Sequence, residues 1–188
     1  MAPQIRTKRR KRAIRPIPPE RGLRDVFKLL PDVSGPVVQS THALMRGPSP
    51  LTPAEREFIY QYCSRANGCL YAATSHTSCA TALGMPKHAF RRPPERLKPL
   101  LKFARKLTLT PASMRPNDAA RLLAAGWDER VLADVIYICA LVGWTNRVLL
   151  GFGLPIDRRQ LIESGLKIAE HGYLPTVTAV GGSAQPPR

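Results

Sequence analysis

The pattern of apolar and polar residues predicts a chain built from helices. After Thr52, apolar side chains recur at the spacing of one helical face: Phe58, Ile59, Tyr62, Cys63 and Ala66. The letters TPAE at 52–55 form a capping box with proline at the first helical position, so a helix is expected to begin there. Asn67 and Gly68 tolerate a left-handed backbone and are expected to end it.

Similar patterns extend over most of the chain. Helices are expected over residues 23–30, 36–45, 69–83, 94–107, 117–125, 129–150 and 158–170. Pro31 is expected to end the first of them, and Asp128 and Asp157 are expected to cap the last two. Alanine and leucine abound, β-branched runs are scarce, and no strand pattern stands out. The predicted fold is therefore all-α, with antiparallel helices joined by short turns.

The length of 188 residues suggests one domain with tails. Residues 1–21 are predicted to form a flexible basic arm, 22–172 a helical domain, and 173–188 a flexible tail. Within the domain, a motif core at 52–84 precedes a second helical half at 94–156.

The formal net charge is +16, and it is unevenly spread. Residues 1–21 hold eight basic side chains and one acidic one. Such an arm suggests contact with nucleic acid or another anionic surface, and a solvated leader without a partner is the alternative.

Targeting signals and cysteine usage predict a cytoplasmic protein. No apolar stretch follows the basic start, and no run of about 18 apolar residues is present, so neither a secretory signal nor a membrane span is predicted. The four cysteines are then expected to be reduced thiols: Cys63, Cys69, Cys79 and Cys139. His76 and Cys79 share a helical face without further ligands at zinc spacing, so no metal is predicted, and no phosphate-binding loop indicates another cofactor.

The stretch NGCLYAATSH at 67–76 carries the candidate chemistry. Cys69 is expected at a helix N-terminus, where the dipole favours a thiolate, and Tyr71 supplies a hydroxyl nearby. His76 lies two turns along the same face, and an antiparallel hairpin would return Glu57 beside it. A carboxylate that orients an imidazole is a proton-transfer arrangement, although each residue alone is as readily a packed or surface side chain.

These residues resemble a known superfamily. The pattern runs Glu57, Ser64-x-x-Asn67-Gly68-Cys69-x-Tyr71 and His76. It is similar to the AhpD-like and carboxymuconolactone decarboxylase superfamily, in its peroxidase-related branch, whose core reads S-x-x-N-x-C-x-Y-C-x-x-x-H after a glutamate. The resemblance covers about 37–156 and includes the downstream residues Trp127, Asn146 and Arg147.

The resemblance implies an all-α AhpD-like bundle that assembles as trimers or hexamers. It also implies hydroperoxide reduction by a Cys-x-x-Cys dithiol that an external thiol reductant restores. Glu57 then corresponds to the relay acid, Cys69 to the first cysteine and His76 to the relay histidine. Ala72 stands where the second cysteine of the motif would be.

No other cysteine clearly replaces the missing one. Cys79 is ten residues from Cys69, about 15 Å along a helix, which is too far for a disulfide. Cys63 is nearer to the turn before Cys69, but its apolar stripe marks it as a core residue.

Three functions therefore follow from the sequence as hypotheses. The first is thiol-dependent hydroperoxide reduction through Cys69 and an external thiol. The second is a cofactor-free lyase or isomerase reaction on a small acid, with Glu57 and His76 as the acid–base pair. The third is a non-catalytic oligomeric scaffold whose basic arm, 1–21, binds nucleic acid.

Overall fold

The computed structural model of the protein describes residues 22–179, and every regular element in that range is helical. The nine α-helices of this range are α1 (Leu23–Phe27), α2 (Pro31–Arg46), α3 (Pro53–Ala66), α4 (Leu70–Ala82), α5 (Lys98–Leu109), α6 (Pro116–Ala124), α7 (Glu129–Gly151), α8 (Arg158–His171) and α9 (Leu174–Ala179). Short 3₁₀ turns lie at Lys87–Phe90, Glu95–Leu97 and Pro111–Ser113. The all-α prediction is confirmed.

The α3–α4 hairpin forms as the sequence predicts. The Glu55 backbone N–H donates to Thr52 Oγ1 at 3.3 Å, and the Thr52 N–H donates to Glu55 Oε2 at 3.0 Å, which completes the capping box. Gly68 takes the left-handed backbone, with φ at 72°, and ends the turn. The hairpin lays α4 antiparallel to α3 and so brings the motif residues of both helices together.

Helix α4 lies between α3 and α8 and packs closely on both. Gly165 makes the approach of α8 close, because a Cβ atom there would lie 2.2 Å from the Ser75 carbonyl oxygen. Ser78 Oγ also donates to the Ile162 carbonyl at 2.9 Å across the same contact. The position of α8 over α4 therefore depends on a residue without a side chain.

Gly165→Ala is expected to lower the free energy of unfolding by about 2–3 kcal/mol, because the methyl group forces α8 away from α4. Gly151→Ala is the matched control, since a Cβ atom there meets nothing within 4 Å, and it is expected to be neutral or slightly stabilising. Urea unfolding of the two variants measures the difference. Equal stability would contradict this tight packing.

Proline positions account for the main differences from the predicted helix limits. Pro31 begins α2 instead of only ending the helix before it, because proline is well suited to the first helical position. Pro36 lies inside α2, where it has no N–H to donate to the Asp32 carbonyl. The predicted helix over 94–107 begins instead as a 3₁₀ turn and becomes α-helical at Lys98.

The predicted flexible tail, 173–188, begins too early. Tyr173 is buried, and α9 follows it and packs against α2. The apolar surface of α2 gives this short segment a partner that the segment's own sequence does not reveal. The rest of the tail, from 180, and the predicted basic arm, 1–21, lie outside the described residues.

One face of helix α7 packs on the core of the domain. Among the described residues it is the one helix long and apolar enough, by length and composition, to cross a membrane. Val135, Ile138 and Val142 on one face are fully buried where α7 packs against α2, α3 and α5. This is the arrangement of a core helix, and the absence of a membrane span stays a prediction.

Candidate active site

A buried carboxylate is at the centre of the candidate site. Glu57, on α3, has no solvent-exposed surface. Its Oε1 atom accepts hydrogen bonds from Arg46 Nη1 and from the Tyr173 hydroxyl, each at 2.7 Å. Its Oε2 atom lies 2.6 Å from His76 Nδ1. Side chains from α2, α3, α4 and the segment before α9 thus meet on one carboxyl group.

The surroundings keep Glu57 ionised. Burial alone would raise the pKa of this carboxyl group, but the charge and hydrogen bond of His76, the charge of Arg46 and the hydrogen bond from Tyr173 hold it below its ordinary value of 4.5. An ionised carboxylate can only accept hydrogen bonds, so the proton between the pair lies on His76 Nδ1. In the neutral ring, Nε2 is then the basic nitrogen.

The imidazole of His76 is held in one plane. Its ring stacks on the Tyr60 ring at a centroid distance of 3.6 Å and an angle of 15°. Tyr60 is buried, and burial raises the pKa of its hydroxyl, so Tyr60 stays a neutral phenol. None of the described residues bonds His76 Nε2. The ring is therefore fixed at one nitrogen and available at the other.

His76 is one of the residues that line a cavity of about 570 Å³. Tyr60, Tyr71, Ala72 and Ser75 line it next to His76, and α1, α2, α7, α8 and α9 complete the wall. Tyr71 is largely buried, and burial raises the pKa of its hydroxyl, which lies near the Leu23 backbone. Tyr71 and His76 thus line the cavity as candidate residues, whereas Glu57 lies behind His76 and contributes no surface to it.

Solved structures similar to this chain include two peroxidase-related proteins. An uncharacterized peroxidase-related protein from Silicibacter sp. TM1040 is 24% identical, with a TM-score of 0.58 over 67% of this chain and 71% of that one. An uncharacterized peroxidase-related protein from Ralstonia eutropha JMP134, described as an alkylhydroperoxidase AhpD core, is 24% identical, with a TM-score of 0.62 over 74% and 78%. The chain has the AhpD-like helical fold. No protein-family model and no curated protein matches the sequence.

Cys69 lies at the predicted place in the chain, but its side chain is more buried than a reactive thiol requires. In this AhpD-like chain it precedes the first residue of α4, as predicted, but its side chain is fully buried and does not line the cavity. Burial raises the pKa of the thiol, and the nearby backbone N–H groups of Ala72 and Tyr71 do not offset it. Burial of the sulfur therefore opposes the thiolate that the sequence predicts, and the thiolate stays a prediction. Ala72 does line the cavity.

The other thiols are packed groups of the AhpD-like core. Cys63 and Cys139 are buried, with their sulfur atoms 3.8 Å apart between α3 and α7. The sulfur atom of Cys79 lies 3.5 Å from Arg46 Nη2, and burial raises the pKa of the Cys79 thiol. None of these three cysteines lines the cavity beside His76.

Arg46 is a site residue that the sequence did not single out. Its Nη2 atom donates to the Ile168 carbonyl at 3.0 Å, so the guanidinium ties α8 to Glu57 on α3. It also lies over the Tyr173 ring, 5.3 Å from the centroid. The only local signal was its place at the end of a helix before Gly47, which does not indicate a role.

Tyr173 is the second such residue, and a glycine positions it. Gly172 ends α8 with φ at 67° and ψ at −150°, a conformation essentially restricted to glycine. A Cβ atom there would lie 2.8 Å from the His42 ring. The Tyr173 backbone N–H donates to His42 Nδ1 at 3.3 Å. The pair Gly172–Tyr173 after a predicted helix was the signal that could have marked it.

Metal ligands do not cluster in the part of the chain that the structure describes. Between residues 22 and 179, no three His, Cys, Asp or Glu side chains are placed to hold a metal ion. The acid–base pair and the cavity next to it are therefore the arrangement from which chemistry can be derived.

Proposed function

We propose that the protein is a small-molecule enzyme in which His76 transfers protons with Glu57 behind it, as in a cofactor-free lyase or isomerase acting on a small acid. The observation that carries the proposal is the 2.6 Å contact between Glu57 and His76 Nδ1, with the imidazole bordering a cavity. A base held by a carboxylate at one nitrogen and open to substrate at the other is suited to general acid–base catalysis.

Each group has a role in that chemistry. Neutral His76 takes a proton from a carbon next to a carbonyl or carboxyl group, and Glu57 stabilises the imidazolium that forms. The same nitrogen then returns the proton to another atom of the product. Arg46 lies 2.7 Å from Glu57 and balances its charge. Tyr71 offers a hydroxyl at the cavity wall.

The charges of the cavity wall favour an acidic substrate. Asp25 and Glu163 already have partners, the Gly22 backbone N–H and Arg159. Arg24 and Lys167 line the same cavity, and neither forms an ion pair with a described residue. These two cations are therefore available to a substrate carboxylate. The volume of about 570 Å³ is in the range of small-molecule sites.

Screening small unsaturated and keto acids for turnover tests the proposal. His76→Gln is expected to lower kcat by about 10²–10⁴-fold, because the glutamine amide cannot exchange a proton. Cys69→Ser is expected to leave kcat within about threefold, since Cys69 does not border the cavity. Turnover that depends on Cys69 and not on His76, or no turnover of any acid, would contradict the proposal.

Thiol-dependent hydroperoxide reduction is a second candidate. Two observations favour it: both similar structures are of proteins described as peroxidase-related, and backbone N–H groups of α4 point to the Cys69 sulfur. The Cys69 thiolate would attack the O–O bond, releasing an alcohol and leaving a sulfenic acid, which two equivalents of an external thiol would reduce. Peroxide consumption that is lost in Cys69→Ser would support this candidate.

Ala72→Cys is expected to give a reducible disulfide with Cys69. Residues three apart across the first turn of a helix lie about 5 Å from each other, within the range that a disulfide needs. Thiol titration after mild oxidation is expected to show two fewer free thiols than after reduction. Ser75→Cys is the control, because Ser75 lines the same cavity. It lies six residues from Cys69, about 9 Å along the helix, which is too far for a disulfide. Unchanged thiols in Ala72→Cys would contradict the predicted geometry.

The remaining expectations are untested. Assembly into trimers or hexamers, the cytoplasmic location and the nucleic-acid contact of the arm at 1–21 stay predictions. A non-catalytic scaffold would have no use for the buried Glu57–His76 pair, which is costly to bury and is therefore better explained by chemistry.

A further inference from the structure

The net charge of the described residues is concentrated in one segment. Residues 22–179 carry 20 basic and 12 acidic side chains, a net charge of +8. Residues 87–106 alone hold eight basic side chains and one acidic one, which accounts for +7 of that total. Elsewhere in the described range the charges nearly cancel, so this segment is a separate positive feature of the folded domain.

Part of this segment forms one exposed face of α5. Lys98, Lys102 and Arg105 are exposed and follow each other at intervals of four and three residues, which aligns them on one face of α5. The opposite face of α5 is buried in the core, including Leu100 and Leu101. Lys87, Arg91 and Arg92 are exposed in the turns that lead to this helix.

Most of these cations have no counter-charge. Some of the basic side chains do have partners: Arg96 bonds Glu55 and lies over Trp127, Lys98 bonds Glu95, and Lys106 bonds Asp118. The other five form no ion pair with a described residue, and we call them the basic surface: Lys87, Arg91, Arg92, Lys102 and Arg105. Unpaired like charges repel one another, and the negative charges of a polyanion offset that repulsion. Binding also releases counterions condensed on the polyanion, which favours the complex.

We propose that the basic surface binds the phosphate backbone of nucleic acid. A membrane fits the surface less well, because residues 87–106 present no exposed large apolar side chain that could enter a lipid layer. No exposed phenylalanine, tyrosine or tryptophan lies within residues 87–106 to stack on bases, so the proposed contact is with phosphates and does not read the base sequence. The surface is separate from the cavity beside His76, since none of its members lines that cavity.

Binding of the full chain to a fluorescent 20-base-pair DNA duplex and to a single-stranded RNA of equal length tests the proposal. Replacing four members of the surface in one variant, Arg91→Gln, Arg92→Gln, Lys102→Gln and Arg105→Gln, is expected to weaken binding at least about tenfold. The slope of log K against log salt concentration for the duplex is expected to become shallower by up to about 3.6, which is 0.9 for each of the four lost phosphate contacts.

A control variant with the same change in net charge distinguishes binding at the basic surface from a general effect of the protein's charge. Lys28→Gln, Arg65→Gln, Arg121→Gln and Arg158→Gln replace four exposed cations elsewhere and are expected to change affinity less than threefold. Equal losses in the two variants would overturn the proposal, as would no binding by the unmodified chain. Vesicles rich in phosphatidylserine complete the test: vesicle binding that depends on the four residues, without nucleic-acid binding, would also overturn it.

Discussion

Arg46→Met is expected to lower the free energy of unfolding by about 3–5 kcal/mol, because it leaves Glu57 ionised in the core without its arginine partner. Two further contacts are lost with the guanidinium: its bond to the Ile168 carbonyl on α8 and its position over the Tyr173 ring. Methionine fills much of the same volume, so the loss reflects charge and hydrogen bonds and not a cavity. Urea unfolding at pH 7 measures it.

The double variant Arg46→Met with Glu57→Gln separates the ion pair from the packing around it. Because the second change removes the uncompensated carboxylate, the combined loss is expected to be smaller than the sum of the two single losses by about 1–3 kcal/mol. Arg65→Met, on the exposed side of α3, is the matched arginine control and is expected to change stability by less than about 0.5 kcal/mol. Additive losses in the double variant would show that Arg46 does not act through Glu57.

The parts of the fold that the sequence predicted well are those with local causes. The capping box at Thr52 and the turn at Gly68 are formed by residues that are neighbours in the chain. Once that turn is known, an antiparallel hairpin places Glu57 beside His76, and the 2.6 Å contact agrees with this expectation. Short-range rules were therefore enough to predict three features. These are the helical character of the chain, the α3–α4 hairpin and the contact between Glu57 and His76.

The parts that the sequence did not predict depend on residues distant in the chain. Tyr173 reaches Glu57 across 116 positions and Arg46 across 11, and no periodic pattern links them. For Cys69, the local expectation and the burial imposed by the fold act in opposite directions. Its place at the start of α4 favours a thiolate, but burial removes water from the sulfur and raises the pKa of the thiol. Burial is a property of the whole fold, so the sequence did not reveal it.

Glu57→Gln is expected to remove an acid-sensitive part of the protein's stability. The pKa of Glu57 in the folded chain lies below its ordinary value of 4.5, so its ionised form stabilises the fold. That contribution is fully present above about pH 4.5 and is lost as the pH falls through the folded pKa. Glutamine keeps the size of the side chain but has no proton to gain. At pH 7 the variant is expected to be about 3 kcal/mol less stable, because Arg46 then lacks its partner.

Urea unfolding of Glu57→Gln and the unmodified chain between about pH 7 and pH 3 measures this contribution. The stability difference is expected to be largest at neutral pH and to shrink steadily below about pH 4.5, because only the unmodified chain then takes up a proton at this position. Glu129→Gln, an exposed carboxylate at the start of α7, is the control whose curve stays parallel to that of the unmodified chain. A constant difference for Glu57→Gln across the range would mean that the pKa of Glu57 is the same in the folded and unfolded chains. An advantage of the unmodified chain that grows as the pH falls would mean that Glu57 is protonated in the folded protein. A protonated Glu57 could not hold the charge that His76 gains during proton transfer, so the same curves test the electrostatic basis of the proposed chemistry without requiring a substrate.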